Sequence, residues 1–375
     1  MVVKKHNEYG RIGGHVIAVD RIERVKAWRL SLPLVRPYHL SLGAIDAFDT
    51  ILVEASDGRR TGFGEATYLT GYTDETIDDA WDKIEELSAA IAGKTLETAR
   101  AQLGALLTDA PFTVTAFVTA FDMLEGNALL RVDEPARVPL LTLFQAEDES
   151  EIEREIAAAL ARGFTTLKIK VGFDLEADMQ RVALIQRVNR KRCALRLDAN
   201  QGYGRADAMR FVTSIDPDSI ELFEQPCDKA DWDSAVAVAR VAQVPMMLDE
   251  SIYGAADIER AAELRAARFV KLKLMKAGSV DTLARDLARI RTLGMEPVLG
   301  NGVAVDVSNW MEACVARGLV TNALESNGFL KPRRSILKSP LRFADGAIVL
   351  EPDWSPQLDM DAIGAQSQAR MECRA

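Results

Sequence analysis

From the middle of the chain onward, apolar runs end in a charged residue at nearly constant intervals. These residues are Lys170, Asp198, Glu224, Asp249 and Lys273, separated by 28, 26, 25 and 24 residues. That spacing holds one strand, one helix and two loops, so it predicts a (β/α) barrel whose charged groups stand at the C-terminal strand ends, where such barrels build their active sites. Two lysines flank three carboxylates in this order, as expected if a divalent cation lies between two basic side chains.

The barrel is expected over residues 138–340. Its strand candidates begin near Val138 in "VPLLTLF" and continue at Thr166–Val171, Ala194–Ala199, Ile220–Glu224, Pro245–Leu248, Phe269–Met275, Glu296–Leu299 and Asn322–Leu324. Amphipathic stretches separate them; Leu175, Met179, Val182, Ile185 and Val188 repeat every three or four residues. Residues 16–137 read as a capping domain, because "ILVEASDGRRTGFGEATY" looks like two strands around an Asp57-Gly58 turn and Asp74–Gly93 is helical in pattern. Residues 341–375 contain a second Asp-Gly hairpin candidate, "LRFADGAIVLEP", and are expected to return to the cap. The fold class is therefore α/β: a modified TIM-like (β/α) barrel with an α+β capping domain formed by the N-terminal region and the C-terminal tail.

Acidic residues outnumber basic ones by 56 to 46, a net charge of −10, and no dense Lys/Arg block occurs, so no nucleic-acid partner is expected. No apolar run approaches the roughly 18 residues that cross a bilayer, and no membrane partner is expected. Cys193, Cys227, Cys314 and Cys373 are widely spaced without a CxxC pair, and no secretory apolar stretch opens the chain. Reduced thiols in a cytoplasm are the expectation.

Side chains alternate across a strand, so in "LKIKV" Lys168 and Lys170 share the inward face while Leu167, Ile169 and Val171 face the helices. An ammonium beside a second ammonium and near a metal parts with its proton more readily, which suits a general base. Asp198, Glu224 and Asp249 end "LRLD", "ELFE" and "MMLD". Singly each reads as a helix cap or a solvated loop residue; at regular spacing they form an all-oxygen ligand set for Mg²⁺, with Mn²⁺ as a substitute. Asn200, Gln225 and Glu250 follow closely and are candidates to orient those ligands. In "FVKLKLMKAG" Lys271 and Lys273 share a face, and Lys273 falls opposite Lys170. A carboxylate substrate on the metal would then have its α-carbon bracketed by two lysines, one removing the α-proton and the other delivering a proton from the opposite side. A Schiff-base lysine of an aldolase-type lyase is the rival reading, and it leaves the three carboxylates without a task.

The set "KIK", "LDAN", "FEQP", "LDES" and "KLKLMKAG" resembles the enolase superfamily, specifically the Lys/Lys branch of the mandelate racemase/muconate lactonizing enzyme group. "GFGEA" and the following Glu75-Thr76 resemble that family's capping domain. The resemblance implies Lys170 and Lys273 as the acid/base pair, Lys168 as the neighbour that eases deprotonation of Lys170, and Asp198, Glu224 and Asp249 as metal ligands. It also implies a homo-oligomer.

His6, His15 and His39 all precede residue 40, so the His-Asp dyad of many sugar-acid dehydratase relatives is missing. The eighth strand ends "LESNG" where related dipeptide epimerases carry Asp-x-Asp for the substrate ammonium, which argues against a dipeptide substrate. Lys271, Asn301, Asp306, Glu325, Tyr38 and Tyr72 are the candidates for substrate contact, the last two from the cap loops "RPYHLS" and "TYLTGYT". The expected function is an Mg²⁺-dependent isomerase of a small carboxylate acting through an enediolate, most specifically a racemase or epimerase of an amino-acid derivative. A muconate-type cycloisomerase and a β-elimination dehydratase use the same five residues and stay open. A catalytically silent barrel is opposed by the intactness of those five positions.

Overall fold

The computed structural model describes residues 21–40, 43–69 and 74–375. His6, His15 and Tyr72 lie outside the described residues, as do the first residues of the expected cap, Ser41 and residues 70–73.

Strands β1 (Arg24–Leu40), β2 (Gly43–Ser56) and β3 (Thr61–Tyr68) form an antiparallel sheet. The turn between the last two is the Asp57-Gly58 turn, where the Asp57 carboxylate accepts from the amides of Arg59 at 3.0 Å and Arg60 at 2.6 Å. Helices α1 (Ile77–Ile91), α2 (Leu96–Gly104) and α3 (Pro111–Glu125) follow, the first two capped by the hydroxyls of Thr76 and Thr95. The backbone of α3 lies directly on β3. A Cβ at Gly62 would stand 2.0 Å from the Ala120 carbonyl, and one at Gly64 2.1 Å from that of Ala116. The "GFG" of the cap motif is thus a packing requirement: only glycine lets the helix backbone come this close.

After β4 (Ala136–Pro139) and β5 (Thr142–Phe144), strands and helices alternate. They are α4 (Glu149–Ala161), β6 (Thr166–Lys170), α5 (Leu175–Asn189), β7 (Ala194–Asp198), α6 (Arg205–Ser214), β8 (Ile220–Glu224) and α7 (Trp232–Val241). Next come β9 (Met246–Leu248), α8 (Ala255–Leu264), β10 (Phe269–Leu272), α9 (Leu274–Ala277), α10 (Val280–Thr292), β11 (Glu296–Leu299) and α11 (Asp306–Ala316). Among the described residues β5 to β11 form one parallel sheet in chain order. Leu324 closes the ring: its amide donates to Pro139 O at 2.8 Å and its carbonyl accepts from Leu141 N at 2.9 Å, while the Glu325 amide donates to Leu299 O at 3.1 Å. The eighth position of the barrel is therefore a short bridge. The sixth strand stops earlier than expected, because Lys273 already caps the short helix α9, which Gly278 ends at φ +77°.

The tail forms the Asp-Gly hairpin between β12 (Phe343–Ala344) and β13 (Ala347–Leu350), and β13 pairs with β4. After α12 (Met360–Gln366), β14 (Ser367–Arg374) pairs antiparallel with β1, so the last strand is the one that enters the cap sheet.

The main core lies between the strands and the outer helices, where Leu167, Ile169, Leu195, Leu197 and Phe223 are fully buried. Inside the barrel, Leu222, Met247 and Val298 form a separate small apolar cluster. Arg196 is buried beside it, held by Glu221, Asn322 and the Ala323 carbonyl. Three cap side chains, Glu65, Thr115 and Asp122, tie the cap to the barrel's working end. The Glu65 carboxylate of β3 accepts from the amides of Val305 at 2.9 Å and Ser308 at 3.1 Å, capping α11 from another domain. From α3, the Thr115 hydroxyl donates to the Met275 carbonyl at 3.1 Å, and Asp122 accepts from the Val280 amide at 3.0 Å.

Because α3 also holds the segment after Lys273, its seat on β3 has a measurable consequence. Gly64→Ala forces a methyl group against backbone and is expected to lower stability by about 3 kcal/mol. Thermal and denaturant unfolding would show it; an unchanged transition would contradict the close approach of α3 to β3.

Candidate active site

Parallel register brings the strand ends level. Lys170 is paired with Asp198, and Asp198 with Glu224, across β6, β7 and β8. Immediately beyond, Asn200, Gln201 and Gln225 adopt positive φ angles, which turn the chain sharply outward and leave the carboxylates pointing into the barrel mouth.

The side chains there alternate in charge. Lys170 Nζ lies 2.6 Å from Asp198 Oδ2, and Lys168 Nζ lies 2.8 Å from the same oxygen. Lys168 also reaches Glu224 at 2.9 Å. On the other side of Glu224, Lys271 Nζ lies at 2.9 Å, and 3.3 Å from Asp249, whose second oxygen is bonded by Lys273. Glu325, at the closing strand, accepts from Lys168 at 2.7 Å and also from Lys271. The row thus runs Lys170, Asp198, Lys168, Glu224, Lys271, Asp249, Lys273, with Glu325 bridging the two inner lysines.

Burial in a low-dielectric interior opposes every one of these charges, so each is maintained by its neighbours. Against the effect of burial, Asp198, Glu224 and Glu325 hold Lys168 well above the ordinary lysine range. Burial likewise opposes charge on Asp198, yet Lys168, Lys170 and Lys271 hold it at about 2. Glu224 is the exception: burial, then the nearby Asp198 charge, push it up to about 7.

Asn200 orients the outer groups. Its amide donates to Asp198 at 2.9 Å, its side-chain nitrogen donates to Glu250 at 2.9 Å, and its side-chain oxygen accepts from Lys170. Gln225 does the same for the next turn, accepting from the amides of Asp249 at 3.0 Å and Ser251 at 3.2 Å. Above the row opens a cavity of about 310 Å³, lined among others by Tyr38, Asn301, Lys276, Lys229 and Tyr253. A larger cavity of about 900 Å³ adjoins it and shares Lys170 and Asn200 as its wall.

The donor chemistry suits a hard divalent cation, although among the described residues the three carboxylates are turned to lysines and do not stand together as a formed ligand cluster. Asp198, Glu224 and Asp249 offer only oxygen donors from three adjacent strands. Among the described residues Glu250 Oε2 is buried without a hydrogen bond, and Glu224 Oε2 meets the Lys168 ammonium at 2.9 Å. Five carboxylates, counting Glu250 and Glu325, gather with the ammonium groups of Lys168, Lys170, Lys271 and Lys273, and a cation would take its oxygen ligands from this cluster.

The family model described as enolase C-terminal domain-like matches residues 151–356, more than half of the chain. The chain belongs to that family. An L-Ala-D/L-Glu epimerase from Clostridium acetobutylicum is 27% identical over 294 residues, covering 74% of this chain and 82% of the relative. In fold the chain is similar to the N-succinyl Arg/Lys racemase from Bacillus cereus, with a TM-score of 0.85 and 22% identity over 94% of this chain and 100% of that one. It is also similar to the muconate lactonizing enzyme from Pseudomonas fluorescens, with a TM-score of 0.84 and 22% identity over 93% of this chain and 100% of the other. The resemblance read from the strand-end motifs and the barrel-plus-cap architecture both agree with these matches.

Within this enolase-superfamily framework most of the expected site residues come together, with two differences. Asp306 does not line the cavity. As the first residue of α11 it turns away, accepting from the Ser335 hydroxyl at 2.8 Å and anchoring the loop before the tail. Lys271 lines the cavity, but its ammonium is taken up by Glu224, Asp249 and Glu325, so it is a counter-ion for protein carboxylates before it is a contact for substrate. Asn301 keeps, in the cavity wall, a buried side-chain nitrogen that has no partner among the described residues. Sequence reasoning missed Lys229, Tyr253 and Lys276. Lys276 stands within the quoted "KLKLMKAG", one helical turn after Lys273, and that spacing was its available signal.

The bridge at Glu325 makes a prediction. Glu325→Gln leaves Lys168 and Lys271 with surplus positive charge in a buried site and is expected to cost about 3–5 kcal/mol. Combined with Lys271→Met it should cost less than the sum of the single changes by about 1–3 kcal/mol, a double-mutant cycle readable by denaturant unfolding. Additive effects would contradict the direct pairing.

Proposed function

We propose that the chain is an isomerase dependent on a divalent metal ion, a racemase or epimerase that removes and returns the proton α to the carboxylate of an amino-acid derivative. The observation that carries this is the position of Lys170 and Lys273 at the two ends of the carboxylate row, Lys170 beside Asp198 and Lys273 beside Asp249. A substrate carboxylate drawn to the middle of the row has an ammonium-bearing side chain on each side of its α-carbon. The activities of the relatives, an L-Ala-D/L-Glu epimerase and an N-succinyl Arg/Lys racemase, belong to this chemical class.

Asp198, Glu224 and Asp249 would hold the cation. When bound, Mg²⁺ supplies positive charge where the substrate carboxylate gains negative charge as the α-proton leaves. The protein's own part is positioning and proton transfer. Lys170 Nζ, as the neutral amine, takes the proton from one enantiomer and becomes an ammonium, while Lys273 Nζ, as the ammonium, gives a proton to the opposite face and becomes the amine; the roles reverse for the other enantiomer. Asn200 aims Lys170, and the bond that Lys273 donates to Asp249 aims Lys273. The unpartnered amide nitrogen of Asn301 and the buried Tyr38 ring form the side of the cavity where the substrate's acyl or amide group would be held. Lys168 stays charged, held by three carboxylates, and acts as a fixed positive charge behind Lys170.

The test is stereochemical. In D₂O, Lys170→Ala and Lys273→Ala should each lose racemisation by at least about a thousandfold, the scale of removing a positioned acid or base. Each should still exchange the α-proton of one enantiomer, and the two variants of opposite ones, read by NMR. A single variant that keeps full racemisation refutes the assignment. If only one lysine is needed for proton transfer, the other serves as a charge that stabilises the enediolate and the reaction is a one-base isomerisation.

A further inference from the structure

Six lysines line the cavity, and they fall into two groups. Lys168, Lys170, Lys271 and Lys273 each lie within salt-bridge distance of a site carboxylate. Lys229 and Lys276 do not; among the described residues neither forms a salt bridge. They converge on one ring. Lys276 Nζ stands 3.9 Å from the centroid of Tyr253 and Lys229 Nζ 5.7 Å from it, and that ring is half exposed at the cavity wall. The three come from loops after different strands. Lys229 follows β8, Tyr253 follows β9, and Lys276 sits on α9 one turn beyond Lys273.

A ring quadrupole attracts a cation only weakly and does not replace an anion between two neighbouring lysine side chains. The chain as a whole is acidic, with a net charge of −10, so two lysines that, among the described residues, have no salt-bridge partner inside its cavity run against its composition. Burial, and then the charge of Lys273, push Lys276 down to about 7, and Asp249 and Glu250 oppose this only from beyond salt-bridge distance; an anion bound between the two lysines would restore its full charge. The position of the pair is on the Lys273 side of the carboxylate row, away from Asp198 and past the carbon that would be deprotonated.

Building on the racemase reading, we infer that Lys229, Lys276 and Tyr253 form a subsite for a second carboxylate of the substrate, so that the substrates are dianionic amino-acid derivatives. One carboxylate sits at the Asp198–Glu224–Asp249 row, and the distal one lies between the two lysines with the tyrosine ring as its floor. The distal group belongs either to the side chain or to an N-acyl substituent, and both present the same charge to the same ammonium pair.

The Mg²⁺-loaded enzyme is titrated calorimetrically with two matched pairs. N-succinyl-L-valine is compared with N-butyryl-L-valine, and L-Ala-L-Glu with L-Ala-L-Gln; the first pair places the distal charge on the acyl group, the second on the side chain. At low salt at least one dianion should bind about tenfold tighter than its neutral partner, the scale of a charge-assisted contact. That ratio should fall toward one in the Lys229→Met/Lys276→Met variant and return in Lys229→Arg/Lys276→Arg. A ratio near one in the unaltered enzyme, or a ratio untouched by the double methionine variant, overturns the subsite. α-Deuterium exchange of the same compounds is read in parallel. Exchange without a dianion preference defeats the subsite and leaves the racemase reading, whereas a dianion preference without exchange does the reverse.

Discussion

Opposite charges buried side by side govern the mouth of this barrel. Asp198, Glu224, Asp249 and Glu325 are all buried, as are Lys168, Lys271 and Lys273, and none of these groups would be tolerated alone at that depth. They are tolerated because they alternate. Each ammonium touches at least one carboxylate, and the inner lysines touch three apiece. The consequence is rigidity where chemistry needs it: a lysine bonded on both sides does not wander, and the two outermost lysines are left at fixed places facing the cavity. Glu325 is the keystone of this row, since it binds both inner lysines through one oxygen and comes from the strand that closes the ring.

The cap extends that constraint. Glu65 reaches from β3 to the start of α11, and Thr115 and Asp122 of α3 hold α9 at Met275 and the chain just after it at Val280. Lys273 is therefore fixed from two directions, by Asp249 within the barrel and by the cap behind it. The same cap strand β1 supplies Tyr38, whose ring packs against Lys331 and whose hydroxyl lies beside Gly302 at the cavity wall. Burial, and then the charge of Glu325, raise the Tyr38 phenol well above its ordinary range, so it faces the cavity as a neutral hydrogen-bonding group. Cap and barrel meet at the site, and neither makes it alone.

Much of this was legible because barrel strands repeat. A period near 25 residues locates the strands, alternation along "LKIKV" assigns the inward lysines, and one charged residue per strand end marks the mouth. What escaped was what depends on how loops and domains pack. Asp306 looks like a mouth residue by position, but the first turn of α11 directs it toward Ser335. Gly62 and Gly64 read as ordinary strand glycines, although their reason is a helix whose seat no local pattern reveals. Lys229 and Tyr253 share a wall only because two loops fold toward each other, and their 24-residue separation carries no sign of it. Lys271 was visible, yet the three carboxylates that claim its ammonium lie on three other strands.

The central claim is that the charged row serves proton abstraction beside a carboxylate held by a divalent cation. It is tested most directly by α-proton exchange in D₂O, followed by NMR with a carboxylate substrate, on enzyme stripped with EDTA and then resupplied with Mg²⁺. Exchange should stop on chelation and return with Mg²⁺ or Mn²⁺, and Glu224→Gln should raise the metal concentration required by about 10–100-fold. Undiminished exchange in excess chelator would contradict the account.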